Sequence, residues 1–180
     1  MTKVGRVLPL ESGLAVLVPA ADLLVGRFRD KHNPSAAGMP AHITLLYPFK
    51  PPSEIDAREI EKLRQCFGGF RRFDFSLRTI HRFPNGALYL APEPDEPFRQ
   101  LTLTIWNCYP ETPPYGARYA IVVPHLTIVE PAEGCDIERV ASEFTEAAED
   151  ILPIRAIATE IALMDTSSGS WQLRTAFALN

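Results

Sequence analysis

The sequence is short of several things, and each shortage excludes a class of protein. Its three cysteines, Cys66, Cys108 and Cys135, are widely spaced and form no CxxC pair. That argues against a disulfide framework and a zinc ribbon, and it fits a reducing compartment. No apolar run approaches the roughly 18 residues that a membrane span requires. The N-terminal stretch lacks a long apolar segment followed by a small-residue cleavage site. The expectation is a soluble, cytoplasmic protein with no membrane partner. Charge of one sign is also missing: 18 Lys and Arg stand against 22 Asp and Glu, for a net −4 and a pI near 5.6. Such a balance offers no field to hold a long duplex by counterion release, so any nucleic-acid substrate should be small or locally gripped. What remains is globular in proportion, with 46% hydrophobic and 22% charged residues in 180, enough for one domain with its own core. Proline is plentiful: 17 residues, against a usual share of about 5%. They read as punctuation between many short elements.

Leu14–Val18 is rich in strand formers and closed by Pro19, and a short helix is expected over Asp22–Phe28. A Pro/Gly/Ser loop follows from Asn33 to Pro40. Ala41–Tyr47 reads as a strand stopped by Pro48. Ser53 is placed to cap a helix whose Ile60, Leu63 and Phe67 share a face up to Gly68-Gly69. Alternation of Phe73, Phe75 and Leu77, then Asn85-Gly86 and Ala87–Leu90, signals a hairpin. In the second half a helix over Glu96–Trp106 precedes a strand over His125–Val129, stopped by Pro131. Asp136 is placed to cap a helix with Ile137, Val140, Phe144, Ala148 and Ile151 on one face. Strands are expected over Ile154–Met164 and Trp171–Leu179 around Ser167-Ser168-Gly169.

The two halves are in register. His42 and His125 are 83 residues apart, as are Thr44 and Thr127, Pro48 and Pro131, and Gly86 and Gly169. Landmarks of such different structural meaning at one spacing indicate duplication. The unit is too long for a solenoid, so the expectation is two lobes about a pseudo-two-fold axis, with the shared residues facing it. What they share is His-x-Thr-apolar: His42-Ile43-Thr44-Leu45 and His125-Leu126-Thr127-Ile128. Side chains alternate along a strand, so each His and its Thr point to one side while the apolar pair points to the other. Two imidazoles with an ordinary pKa of ~6.5 can supply a base and an acid together near neutral pH, which suits in-line displacement at phosphorus. Threonine hydroxyls beside them can donate hydrogen bonds to non-bridging phosphate oxygens. A zinc site lacks a third ligand at metal-like spacing, so neither a metal nor a cofactor is expected.

The duplicated motif, set in AHITLLYPF and VVPHLTIVEP, resembles the 2H phosphoesterase superfamily and its 2′-5′ RNA ligase-like branch. The lobe order, the stretch Pro113–Arg118 and the terminal strand Trp171–Arg174 carry the resemblance over most of the chain. Ile128 replaces Leu in the second motif, a conservative change on the buried side. The resemblance implies an α+β fold of two lobes, each an antiparallel sheet backed by helices, with a central cleft. The whole chain, 1–180, would be one such domain, with lobe one over 13–92 and lobe two over 94–180. It further implies metal-independent chemistry on 2′,3′-cyclic phosphates or 2′-5′ phosphodiester linkages, His42 and His125 as the acid/base pair, and Thr44 and Thr127 on the phosphate.

Further candidates lie near the motifs. Tyr47, at the strand's mouth, could reach phosphate or stack on a base, or pack on Pro48 and Phe49. Tyr115 and Arg118 lie in the loop before the second motif, where substrate contacts concentrate. Trp171 matches Leu88 at the common offset and is expected to pack in the core. Arg71, Arg72, Arg78 and Arg82 read as a solvated basic run, and His32 and His81 as surface residues. The expected partner is a small nucleotide or RNA-end substrate of a monomer without an extended nucleic-acid surface. Two alternatives stay open: a nucleotide or RNA-end receptor with little turnover, and a 2H enzyme for a non-RNA cyclic phosphate.

Overall fold

Proline and aspartate set many of the element boundaries in the computed structural model, which describes residues 10–33, 38–132 and 134–180. The first nine residues and the middle of the Asn33–Pro40 loop lie outside the described residues. Strand β1 (Ser12–Leu17) leads into α1 (Pro19–His32). Pro19 therefore opens the helix as well as closing the strand, because its missing N–H costs nothing at the first helical position. After β2 (His42–Leu46), Ser53 lies in a short 3-10 turn, and Asp56 caps α2 (Ala57–Phe67) by accepting from the Glu59 N–H at 2.9 Å. The expected cap was three residues early because the prolines at 51 and 52 favour a turn before the helix starts. Then follow β3 (Phe73–Arg82), β4 (Leu88–Glu93), α3 (Glu96–Cys108), β5 (Leu126–Val129) and α4 (Ile137–Ala148). Asp136 caps α4 as expected, accepting from the Arg139 N–H. Its Val140, Phe144 and Ala148 are buried, whereas Ile151 lies past the helix end and is exposed. The chain closes with β6 (Ile154–Ala158), β7 (Glu160–Asp165) and β8 (Gln172–Ala178).

All pairings are antiparallel, and they join the strands into one eight-stranded sheet in the order β6-β3-β4-β5-β2-β1-β7-β8. This corrects the expectation of two separate sheets. Two four-stranded halves exist, but they are continuous where Ile43 of β2 pairs with Leu126 of β5. The halves also exchange strands: β3 and β4 join β5 and β6, while β1 and β2 join β7 and β8. The sheet therefore does not divide at residues 92–94. The stretch expected as one strand over Ile154–Met164 breaks at Thr159, and its two parts serve opposite halves. A strand that bends and changes partner is how a sheet turns a corner.

Duplication survives in the turns. Gly86 and Gly169 have φ of +92° and +93°, and each donates its N–H to the carbonyl three residues back, Phe83 and Thr166 respectively. Only glycine takes that conformation without steric cost. Helices cover the face opposite the motif side chains. Helix α3 packs on β2, and Thr102 of α3 donates its hydroxyl to the Leu45 carbonyl at 2.9 Å. Helix α1 packs on β5 and against α4, where Phe28 and Phe144 meet edge to face at 5.0 Å. Such a ring pair adds about 0.5–1.5 kcal/mol beyond its burial. Ile43, Leu45, Leu126 and Ile128 all fall in the buried core. The apolar half of each motif thus anchors the site from beneath.

Candidate active site

Strand alternation does to the motifs what their sequence requires. His42, Thr44, His125 and Thr127 are half-buried, while the intervening apolar residues are sealed in the core. Because Ile43 pairs antiparallel with Leu126, the register places His42 beside Thr127 and His125 beside Thr44. Each imidazole neighbours the hydroxyl of the other motif.

Both rings are held in the same way. His42 Nδ1 lies 2.8 Å from the Pro40 carbonyl, and His125 Nδ1 lies 2.7 Å from the Val123 carbonyl, in each case two residues back. A carbonyl only accepts, so Nδ1 carries the proton, and in the neutral ring Nε2 presents its lone pair. The approach to His42 is further fixed at Ala41, whose N–H is bound by Asp22 of α1 at 2.7 Å and whose carbonyl accepts from Val18.

The electrostatic surroundings differ. Burial lowers the pKa of His42 to about 4, and the Arg29 guanidinium and His125 add to the shift. Burial also lowers that of His125, but there the Glu130 carboxylate opposes the shift. Both rings are neutral near pH 7 in the free protein, with a cation acting on one and an anion on the other. Sequence reasoning missed both charges. Arg29 lies in α1, is 5% exposed, and its Nε has no hydrogen-bond partner among the described residues. Nothing in a helical pattern marks such a buried arginine. Glu130 was within reach, since it stands 83 residues after Tyr47.

The remaining candidates divide. Tyr115 joins the site: its N–H donates to the Tyr47 carbonyl at 2.7 Å, and its side chain hydrogen-bonds Thr44. Burial pushes its pKa up to about 12. Its backbone is in the left-handed region (φ 52°), as is that of Ala117 (φ 58°). Strain of this kind in non-glycine residues costs on the order of 1–3 kcal/mol each and persists where the surroundings hold it. Tyr47 is committed elsewhere, its hydroxyl donating to Glu11 at 2.7 Å and its ring meeting Trp171 edge to face. Trp171 is half-buried in that contact rather than sunk in the core. Arg118 is exposed, and its charge acts on the Tyr47 hydroxyl. Arg71, Arg72, Arg78 and Arg82 are exposed, with Arg78 and Arg82 paired to Glu93 and Glu138.

A ring column stands on the His125 side. Phe83 and Tyr89 stack at 4.0 Å, His81 lies on Tyr89 at 5.4 Å, and the His125 ring meets Phe83 and Tyr89 edge-on at 4.9 and 5.6 Å. Tyr89 pairs with Thr127 in the sheet, so it shares the face of the motif side chains. His81, expected as an isolated surface residue, is exposed but caps this column.

Comparison with known proteins identifies the family and the fold. The sequence profile of the 2′-5′ RNA ligase superfamily matches residues 17–170. A Bacillus licheniformis protein, provisionally named a phosphoesterase, is 26% identical over 119 residues, 64% of this chain and 68% of its own length. Among solved structures, E. coli LigT complexed with 3′-AMP superposes with a TM-score of 0.60 at 20% identity, covering 96% of this chain and 99% of LigT. The TT0787 protein of Thermus thermophilus gives a TM-score of 0.63 at 17% identity, covering 94% of this chain and 97% of that one. At those identities the structural likeness is one of fold, while the sequence profile spans most of the chain. The chain belongs to the 2′-5′ RNA ligase superfamily.

Proposed function

We propose that the protein is a phosphodiesterase that opens nucleoside 2′,3′-cyclic phosphates or acts at 2′-5′ linkages of RNA ends or nucleotides, without a metal. The observation that carries this reading is the crosswise motif pair at the β2–β5 junction, where each imidazole is pinned through Nδ1 beside the other motif's threonine. A phosphate held by Thr44 and Thr127 would lie between two imidazole Nε2 atoms. Threonine hydrogen bonds to its non-bridging oxygens strengthen as charge builds there in the transition state.

The charges give the pair a direction. His42, next to the Arg29 cation, stays neutral and takes the proton of the attacking water as general base. His125, next to the Glu130 anion, gains a proton when the anionic phosphate docks and gives it to the departing ribose oxygen as general acid. Water adds to phosphorus, the P–O bond to ribose breaks, and the ring opens to a phosphomonoester. The nucleoside rests toward Phe83, the end of the column that His81 does not cap, because a base stacks on an aromatic face whatever its identity. That LigT has been solved with 3′-AMP and with ATP is in keeping with a nucleotide ligand. Tyr115 shapes the Thr44 side, with Tyr47 and Arg118 at the rim.

The test is phosphorus NMR of purified protein with a panel of nucleoside 2′,3′-cyclic phosphates, RNA oligonucleotides with cyclic ends and 2′-5′ dimers, all in EDTA. The expected result is conversion of at least one class to a new phosphoester. Binding without product across the panel would replace this reading with a nucleotide receptor. Turnover abolished by EDTA would refute the metal-free mechanism.

A further inference from the structure

Cys66 near the end of α2 and Cys108 at the end of α3 are 42 positions apart in sequence, and the fold brings their sulfurs to 2.7 Å. That is longer than the bonded separation of about 2.04 Å in a disulfide, so the two are free thiols in direct contact. Residue spacing gives no hint of it, since neither cysteine has a partner at motif distance. The two thiols are half-buried at the seam between α2 and α3, within reach of small reagents. Cys66 donates its S–H to the Cys108 sulfur, with the Thr104 carbonyl as a second acceptor at 3.7 Å. Cys135 stands apart, with its sulfur 3.9 Å from His32 Nδ1.

We propose that Cys66 and Cys108 form an oxidisable dithiol site, which peroxide or a small-molecule disulfide converts reversibly into an intramolecular disulfide joining α2 to α3. The geometry divides the labour. Cys66 gives its S–H to the Cys108 sulfur, and burial and that neighbouring sulfur push the Cys66 thiol up to about 12, so Cys66 keeps its proton and the Cys108 sulfur meets the oxidant first. With hydrogen peroxide, the Cys108 sulfur attacks one oxygen, the O–O bond breaks, and a sulfenic acid and one water form. The Cys66 sulfur then attacks the Cys108 sulfur. The S–S bond forms, the S–O bond breaks, and the hydroxyl leaves as a second water with the Cys66 proton. Two thiols and one peroxide become one disulfide and two waters, the sulfurs losing the two electrons that the peroxide oxygens gain. With a disulfide oxidant the same two electrons pass by thiol exchange, and two small thiols are released.

The link would lie behind one half of the sheet only. Helix α3 is the element whose Thr102 holds the Leu45 carbonyl of β2, so the staple braces the support of the His42 strand. The 83-residue offset puts Val25 and Glu149 at the corresponding places in the other half, which has no such pair. The site does not depend on the proposed phosphodiesterase activity.

The experiment treats the reduced, folded full-length chain with hydrogen peroxide or glutathione disulfide, alkylates the remaining thiols, and maps peptides without reduction. The expected product has lost two hydrogens, carries a single 66–108 cross-link with Cys135 alkylated, and returns to three free thiols on reduction. C135S should form the same link, and C66S should instead trap a glutathione adduct at Cys108. Free thiols at both 66 and 108 after oxidation would overturn the proposal. So would links through Cys135 or between molecules, or stable glutathione adducts in the unaltered chain.

Discussion

The sheet half that carries His125 and the half that carries His42 are built alike and lined differently. Moving outward from Thr127, its cross-strand neighbour is Tyr89 and the next is His81. Moving outward from Thr44, the same steps give Ala15, then Ala162 and Ala176. Aromatic side chains rise on one side, and a floor of alanines lies on the other. On the alanine side, the aromatic group that meets Thr44 is Tyr115, delivered by a strained loop rather than by the sheet. The charges diverge in the same way, with a buried arginine acting on His42 and a surface glutamate on His125. Duplication has kept two imidazoles and two hydroxyls, which on the proposed reading serve the phosphate. It has diverged where the rest of a substrate would lie and where a proton would have to move in one direction.

The largest effect should come from the features the halves share. His42→Ala and His125→Ala should each lower turnover of a nucleoside 2′,3′-cyclic phosphate by at least ~100-fold, and the double variant should fall further, by less than the product of the two losses, because each single variant retains one proton-transfer group. Steady-state kinetics in EDTA reads this directly. Full activity in either single variant would break the symmetry at its root.

Next come the features that differ. Phe83→Ala should weaken binding of nucleoside substrates by the worth of one stacked base, about 1–3 kcal/mol or roughly 5- to 150-fold. A cyclic phosphate without a base should be unaffected, so the ratio of the two losses sharpens the aromatic contrast. Equal losses would show that the column only supports His125. A smaller and more local effect is expected from Arg29→Met. Removing the cation should raise the pKa of His42 and leave that of His125 nearly where it was, as read by NMR titration of the two imidazoles. An unchanged His42 would remove the arginine from the account.

The motif strands were legible because a period of two, closed by Pro48 and Pro131, leaves little freedom. The apolar residues between His and Thr then decide which face is buried. The hairpin turns were legible because Asn85-Gly86 and Ser168-Gly169 demand a left-handed glycine. The continuity of the sheet was not legible. The exchange that puts β3 and β4 beside β5 depends on long-range pairing, and the break at Thr159 leaves no mark in a segment that alternates on both sides of it. Asp56 rather than Ser53 caps α2 because the chain first makes a turn through Pro52. Arg29 and the Cys66–Cys108 contact were invisible for a related reason. Both follow from how helices pack on the sheet and on each other, which no local spacing encodes.

The claim that the two halves play opposite parts in proton transfer is tested most directly by the pH dependence of the residual activity of the single histidine variants. Activity in the unaltered protein should hold from the value of about 4 at His42 up to that of His125, and should fall above it. His42→Ala retains the acid alone, so its residual kcat/KM should decline as pH rises through the pKa of His125, with no loss on the acidic side. His125→Ala retains the base alone, so its residual rate should rise with pH near 4 and stay flat to neutrality and beyond. The opposite pair of profiles, with His42→Ala gaining activity as pH rises and His125→Ala losing it, would contradict the assignment and exchange the roles of the two halves.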